Sequence, residues 1–110
     1  MRVYVAGPYS KGDQIANVRA AIMVGDRLLV AGAVPYIPHL TAFWHLLSPH
    51  PYQEWLDLDL EWLRQCQAII RLPGESSGAD GEVAEAIAWG IPVFRDVETL
   101  CGWMKEQEGA

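Results

Sequence analysis

Apolar and polar positions along the chain follow two alternating rhythms. Residues 2–6, Arg2-Val3-Tyr4-Val5-Ala6, are a short apolar run stopped by the breaker pair Gly7-Pro8, which marks a buried strand. After a polar loop, Tyr9 to Asp13, the period lengthens. From about residue 14 to 31, Ile15, Val18, Ile22, Leu29 and Val30 recur at helical spacing among alanines and are expected to form the core face. Gly32 ends that helix. Residues 33–38 give a second strand, whose Pro35 and Pro38 suit a sheet edge or a strand end. Residues 39–50 hold His39, His45, His50, Phe43 and Trp44 and fit a short helix capping the sheet.

Helix and strand signals then repeat in order. Pro51 opens a helix running to about Cys66, and Gln67 to Leu72 is a third, apolar strand. Residues 79–89 form a helix stopped by Gly90, Ile91 to Phe94 a fourth strand, and Val97 to Lys105 a closing helix. The tail, 106–110, is expected to fray. Because helical crossovers join successive strands, the sheet must be mainly parallel. The expected fold is a three-layer α/β domain, a Rossmann- or flavodoxin-like open parallel sheet with helices on both faces. At this length, 1–110 reads as a single domain.

Charge narrows the list of partners. The net charge is −6 with no Lys/Arg cluster, which argues against binding a nucleic acid polymer, since that binding runs on counterion release by basic residues. A small phosphorylated ligand needs only a few local donors and stays open. No run resembles a signal peptide or a membrane span. Cys66 and Cys101 are far apart in sequence and form no CxxC, so both read as reduced thiols in a cytoplasmic protein.

All strand C-termini of a parallel sheet lie on one edge, where ligands bind. That edge would gather Gly7, Pro8, Tyr9 and Ser10 after the first strand, His39 after the second, and the Ser76–Glu82 segment after the third. Tyr9 is either a cover for the edge or a ligand contact, and Ser10 either a turn residue or a contact. Ser77-x-x-Asp80 fits a capping box, which places Glu82 in or near the first helical turn, where the dipole favours an ionised carboxylate. Asp57 and Asp59 are two apart on one helix, so only one of them faces a cleft readily. A cleft with two carboxylates, a histidine and aromatics suits a polar cyclic small molecule. The histidine spacings of six and five match no zinc motif, and neither common nucleotide fingerprint is present, so no metal and no cofactor is expected.

The order of these features resembles the nucleoside 2-deoxyribosyltransferase-like superfamily, which includes the related nucleotide N-glycosidases. The similarity runs from residue 1 to about 95. It rests on Gly7-Pro8-Tyr9 after the first strand, the Ala-rich helix, Pro38-His39, Asp59-Leu60, the third strand, Ser76-x-Gly78-x-x-x-Glu82, and Gly90-Ile91-Pro92-Val93. The chain is most similar to that superfamily's short branch. The resemblance implies that Glu82 is a nucleophile at the anomeric carbon of a (deoxy)ribose and that Asp59 orients the base or helps protonate it. It also implies that Gly7, Pro8, Tyr9, Ser10, His39, Ser76, Ser77 and Gly78 contact a nucleoside or nucleoside 5′-monophosphate. The chain departs from the pattern at Ser76 and Gln67, where aspartates are common. The longer transferases also carry a C-terminal extension that reaches into a neighbour's site. Hydrolysis is therefore expected beside transfer, with Ser10, Lys11 and Ser77 available to a phosphate.

Two other readings use the same residues. A non-catalytic nucleoside- or nucleotide-binding module would employ the same cleft and ask no chemistry of Glu82, and an assembly protein would need no cleft. Five tryptophans in so short a chain, read more readily as core or interface than as base platforms, predict a homodimer or higher homo-oligomer.

Overall fold

The computed structural model describes residues 1–109; Ala110, the end of the tail expected to fray, lies outside the described residues. The elements are β1 (Arg2–Ala6), α1 (Gln14–Val30), β2 (Val34–Tyr36), a 3-10 turn (Pro38–Leu40), α2 (Thr41–Leu47), α3 (Tyr52–Arg64), β3 (Ala68–Arg71), α4 (Ser77–Ala88), β4 (Val93–Phe94) and α5 (Val97–Glu108). The four strands form one sheet in the order β2-β1-β3-β4, with every pairing parallel. This is a flavodoxin-like three-layer arrangement, as the alternation of periods requires. Pro35 sits on the edge strand β2, where a missing N–H costs little. Residues 106–108, expected to fray, continue α5.

Each strand feeds two cores because its side chains alternate. Val3 and Val5 of β1 join Ala68 and Ile70 of β3 on one face, beneath Leu28 of α1 and Leu100 and Met104 of α5. Tyr4 and Ala6 join Ile69 on the other face, against Leu63 at the end of α3 and Val83 and Ala86 of α4. Successive strands are added outward in opposite directions, from β1 to β2 on one side and from β3 to β4 on the other, so the switch point falls between β1 and β3. In such sheets the crevice outside that point is the binding position. Among the described residues, no helix is long and apolar enough to cross a membrane.

The face of α1 differs from the expected one. Ile15 and Val30 are each 82% exposed, Ile22 and Leu29 are also exposed, and Val18 is only half-buried. The buried stripe is Ala21, Gly25 and Leu28. Small residues win this face because the helix lies very close to the strand-end segment beyond β2. A Cβ added at Gly25 would stand 2.3 Å from Ile37 Cδ1 and 2.9 Å from its Cγ1. Gly25→Ala is therefore expected to destabilise the fold by about 1 kcal/mol or more, because overpacking of about 1–3 kcal/mol outweighs the gain in helix propensity. Gly102→Ala in α5, which meets no atom within 4 Å, is expected to be neutral or stabilising. Urea unfolding of the two variants checks the contrast.

Candidate functional site

The loops after β1 and β3, the 3-10 turn and the α2–α3 segment enclose a cavity of about 710 Å³. That volume lies within the range of small-molecule sites, about 300–1,000 Å³. Of the residues expected to contact a ligand, Gly7, Tyr9, Ser10, His39, Ser76, Ser77 and Gly78 line it, and so does Glu82. A smaller cavity of about 220 Å³ between α3 and α4 shares Tyr52, Ser77, Gly78 and Glu82 with the first. Glu82 thus stands where the two meet.

The start of α4 sets this position. Ser76, in extended conformation, is the N-cap, and its hydroxyl accepts from Ala79 N at 3.0 Å. The expected capping box at Ser77 and Asp80 is absent, because the helix starts two residues earlier than its apolar pattern suggests. Asp80 is held instead by the buried Arg71, whose Nη2 lies 2.9 Å from Oδ1. The same guanidinium donates to the carbonyls of Leu72 and Gly74, which fastens the β3–α4 loop to the end of β3. Gly74 has a φ of +114°, and a Cβ there would also run into Pro8. The loops after β1 and β3 therefore touch.

The earlier start moves Glu82 into the second turn, on the buried face with Ala79, Val83 and Ala86. It is only 9% exposed, and burial pushes its carboxyl up to about 8. The expectation that a helix start keeps it ionised is overturned, since dipole support fades beyond the first turn and desolvation dominates. One donor works the other way: the Tyr4 hydroxyl, fully buried beneath the cavity, donates to Glu82 Oε2.

Asp59 does not line either cavity. It accepts a hydrogen bond from Tyr36 Oη at 2.9 Å, and burial pushes it up to about 6, partly offset by that bond. Burial, then the nearby Asp59 charge, raises the Tyr36 phenol in turn. Tyr36 stacks on Tyr4 at 5.5 Å and on Trp62 at 5.6 Å. Asp59 and Glu82 are therefore joined through two stacked phenols rather than across open space. Asp57 is exposed and bonded to Gln53, so Asp59 is the inward member of the pair.

Pro8 also stands behind the wall, its carbonyl taken by His39 Nε2 at 2.9 Å. His39 is 4% exposed, and burial lowers its pKa against the opposing pull of its backbone hydrogen bonds. Its Nδ1 has no partner among the described residues. Tyr9, packed edge-on against His39 at 6.0 Å, forms the rim. Sequence reasoning missed Tyr4, Tyr36 and Arg71, and the aromatic wall of His45, His50, Tyr52 and Trp55. A tyrosine inside a Val/Ala strand, or an arginine ending an apolar one, is the available signal, because each needs a polar partner once buried. Among the described residues, no three His, Cys, Asp or Glu side chains gather as metal ligands do.

The fold is similar to that of a solved 2-deoxyribosyltransferase from the psychrotolerant bacterium Bacillus psychrosaccharolyticus. The TM-score is 0.59 and the identity 21%, over 84% of this chain and 69% of that one. No curated protein matches the chain in sequence. Residues 1–96 match the family described as Domain of unknown function (DUF7768), a span that runs from β1 through β4 and holds every residue lining the two cavities. The chain belongs to that family.

Proposed function

We propose that the protein cleaves the N-glycosidic bond of a (deoxy)nucleoside or nucleoside 5′-monophosphate, passing the sugar to water or to another base, with Glu82 as nucleophile. The observation that carries this reading is the buried Glu82 carboxylate on the cavity wall, gripped by the Tyr4 hydroxyl. An oxocarbenium-like transition state needs an adjacent negative charge, and a carboxylate supplies both that charge and the bond of a glycosyl ester. Burial makes the anion reactive, and Tyr4 makes it attainable. The Tyr4–Tyr36–Asp59 chain holds the nucleophile's donor in place, which gives Asp59 a supporting role. His39, locked to the Pro8 carbonyl, braces the strand-end loop behind the cavity wall. The start of α4, with Ser10 and Lys11 on the same cavity, suits a phosphate. The shared fold with a 2-deoxyribosyltransferase supports the reading. No metal or cofactor enters it.

The test is a screen of nucleosides and 5′-monophosphates for release of free base, with Glu82→Gln as control. Base release by the wild type alone supports the reading; no release from any of them, nor from their ring-N-methylated cations, overturns it. One observation favours the non-catalytic module. A carboxyl pushed up to about 8 is largely protonated at neutral pH and serves as a hydrogen-bond donor to a ligand. In that case Glu82→Gln, which keeps a donor, binds ligand nearly as well as the wild type, and nothing is turned over.

The same reading extends to assembly. Phe43, Leu46 and Leu47 of α2 are exposed, Leu47 to 89%, beside half-exposed Trp44. Such apolar faces mark interfaces. The chain is expected to sediment as a dimer or larger, and Leu47→Glu to weaken that association. A strict monomer at high micromolar concentration refutes this.

A further inference from the structure

Breaking an N-glycosidic bond puts an electron pair on the departing base, and a positioned proton donor speeds that step. Asp59, the residue expected to help, is absent from the cavity lining and holds Tyr36. The α2–α3 wall carries a different group. His50 lines the cavity, and its Nδ1 lies 2.6 Å from Oε2 of Glu54, in the first turn of α3. Trp44 and Trp55 box the ring edge-on, with centroids at 6.4 and 5.3 Å. Among the described residues, its other nitrogen, Nε2, has one hydrogen-bond partner, Ser48 Oγ at 3.5 Å, the outer limit for a hydrogen bond. This is the carboxylate–imidazole arrangement in which one nitrogen is anchored and the other is left to exchange a proton.

His45 lines the same wall but is wired differently. Its Nδ1 accepts from Trp55 Nε1 at 2.8 Å and from the His50 backbone N–H at 3.3 Å. Two donors converge on that nitrogen, so it serves as an acceptor. It braces Trp55 and the turn that presents His50. Of the two histidines, only His50 has a carboxylate behind it.

We propose that His50 is the acid that protonates the leaving base and that Glu54 is its positioning residue; this rests on the N-glycosidic reading above. In the first step a Glu82 oxygen bonds to the anomeric carbon while the carbon–nitrogen pair goes to the base. That base nitrogen takes the Nε2 proton of the His50 imidazolium, and Nδ1–H stays on Glu54. In the second step water attacks the anomeric carbon and gives its proton to the neutral Nε2. The ester bond breaks and its pair returns to Glu82. One nucleoside and one water become free base and free sugar, with both side chains restored. In transfer, the N–H of an incoming base replaces the water.

The experiment compares His50→Gln and Glu54→Gln with the wild type on two substrates. One is the neutral nucleoside or 5′-monophosphate turned over best in the screen above. The other is its ring-N-methylated cation, whose base departs neutral and needs no proton. On the neutral substrate, kcat/KM is expected to fall about 10²- to 10⁴-fold in His50→Gln and at least about 10-fold in Glu54→Gln. On the cation, each variant should stay within about 3-fold of the wild type, since no acid is called on. Activity on the cation also shows that the variants are folded. Equal losses on both substrates, or full retention on the neutral one, would overturn the assignment. A wild type that releases only the methylated base also overturns it while leaving the N-glycosidic reading intact. Release from neither, after an empty screen, fails that reading itself and the inference with it.

Discussion

Glu82→Gln is expected to remove base release and, above neutral pH, to make the protein more stable. The catalytic loss should be roughly 10³-fold or more, the scale on which loss of a nucleophile is felt. The gain in stability follows from linkage. Glu82 ionises near its ordinary value of 4.5 in the unfolded chain but only at about 8 in the fold. Below 4.5 both states hold the proton, and burial costs nothing through this group. Between 4.5 and 8 the unfolded state releases its proton while the fold keeps it, so stability falls as pH rises. Above 8 both are ionised and the penalty is complete. Folded and unfolded pKa values that differ by one correspond to about 1.4 kcal/mol, so the full penalty is about 3–5 kcal/mol. Glutamine has no such penalty and still accepts from Tyr4. Thermal unfolding at pH 9 should therefore show the variant about 10 °C or more above the wild type, with the two converging near pH 4. Asp59 has the same sign over a lower window, from 3.8 to about 6, but both proteins share it. An unchanged melting temperature at pH 9 would mean that Glu82 is solvated and poorly placed for covalent chemistry.

The architecture behind this expectation was only partly visible in the sequence. Strands and helices were legible because their signals are local: Val3-Tyr4-Val5-Ala6 stops at Gly7-Pro8, and the helices stop near Gly32 and Gly90. The fold class followed, since helical crossovers leave no alternative to parallel strands. The packing face of α1 was not legible. Counting large apolar residues points to Ile15 and Val30, whereas the buried stripe is Ala21, Gly25 and Leu28, and contact with Ile37 selects the glycine. The hydrophobic pattern reports what could be buried, and close approach decides what is.

Much of the cavity wall was legible for a similar reason. Residues after β1 and β3 must converge once the strands are adjacent and parallel, and Gly7, Tyr9, Ser10, Ser76 and Glu82 do. The electrostatics were not legible, because the partners lie far apart in sequence. Tyr4 meets Glu82 across 78 residues and Tyr36 meets Asp59 across 23. A start two residues earlier for α4 moved Glu82 from the exposed first turn to the buried second, and so reversed the direction of its pKa. The wall of His45, His50 and Trp55 depends on the turn between α2 and α3, which no periodicity describes.

Tyr4→Phe isolates the contact that reconciles burial with ionisation. Phenylalanine keeps the ring against Tyr36 and removes only the hydroxyl that donates to Glu82. A hydrogen bond to a charged group is worth about 1.5–3 kcal/mol. Its loss is felt by the carboxylate and little by the neutral acid, so the Glu82 pKa should climb higher still, by about 1–2. The rising limb of the kcat/KM profile, which follows ionisation of the nucleophile, should move alkaline by the same amount. At pH 7 the variant should therefore be about 10- to 100-fold slower, with much of the gap closing above the new pKa as the anion forms without its donor. Stability near pH 5, where Glu82 is protonated in both proteins, should differ by less than about 1.5 kcal/mol. A uniform loss at every pH would assign Tyr4 to packing alone. A displaced limb with the fold intact would show that the phenol sets the charge on Glu82, and that the strand residue beneath the cavity belongs to its chemistry.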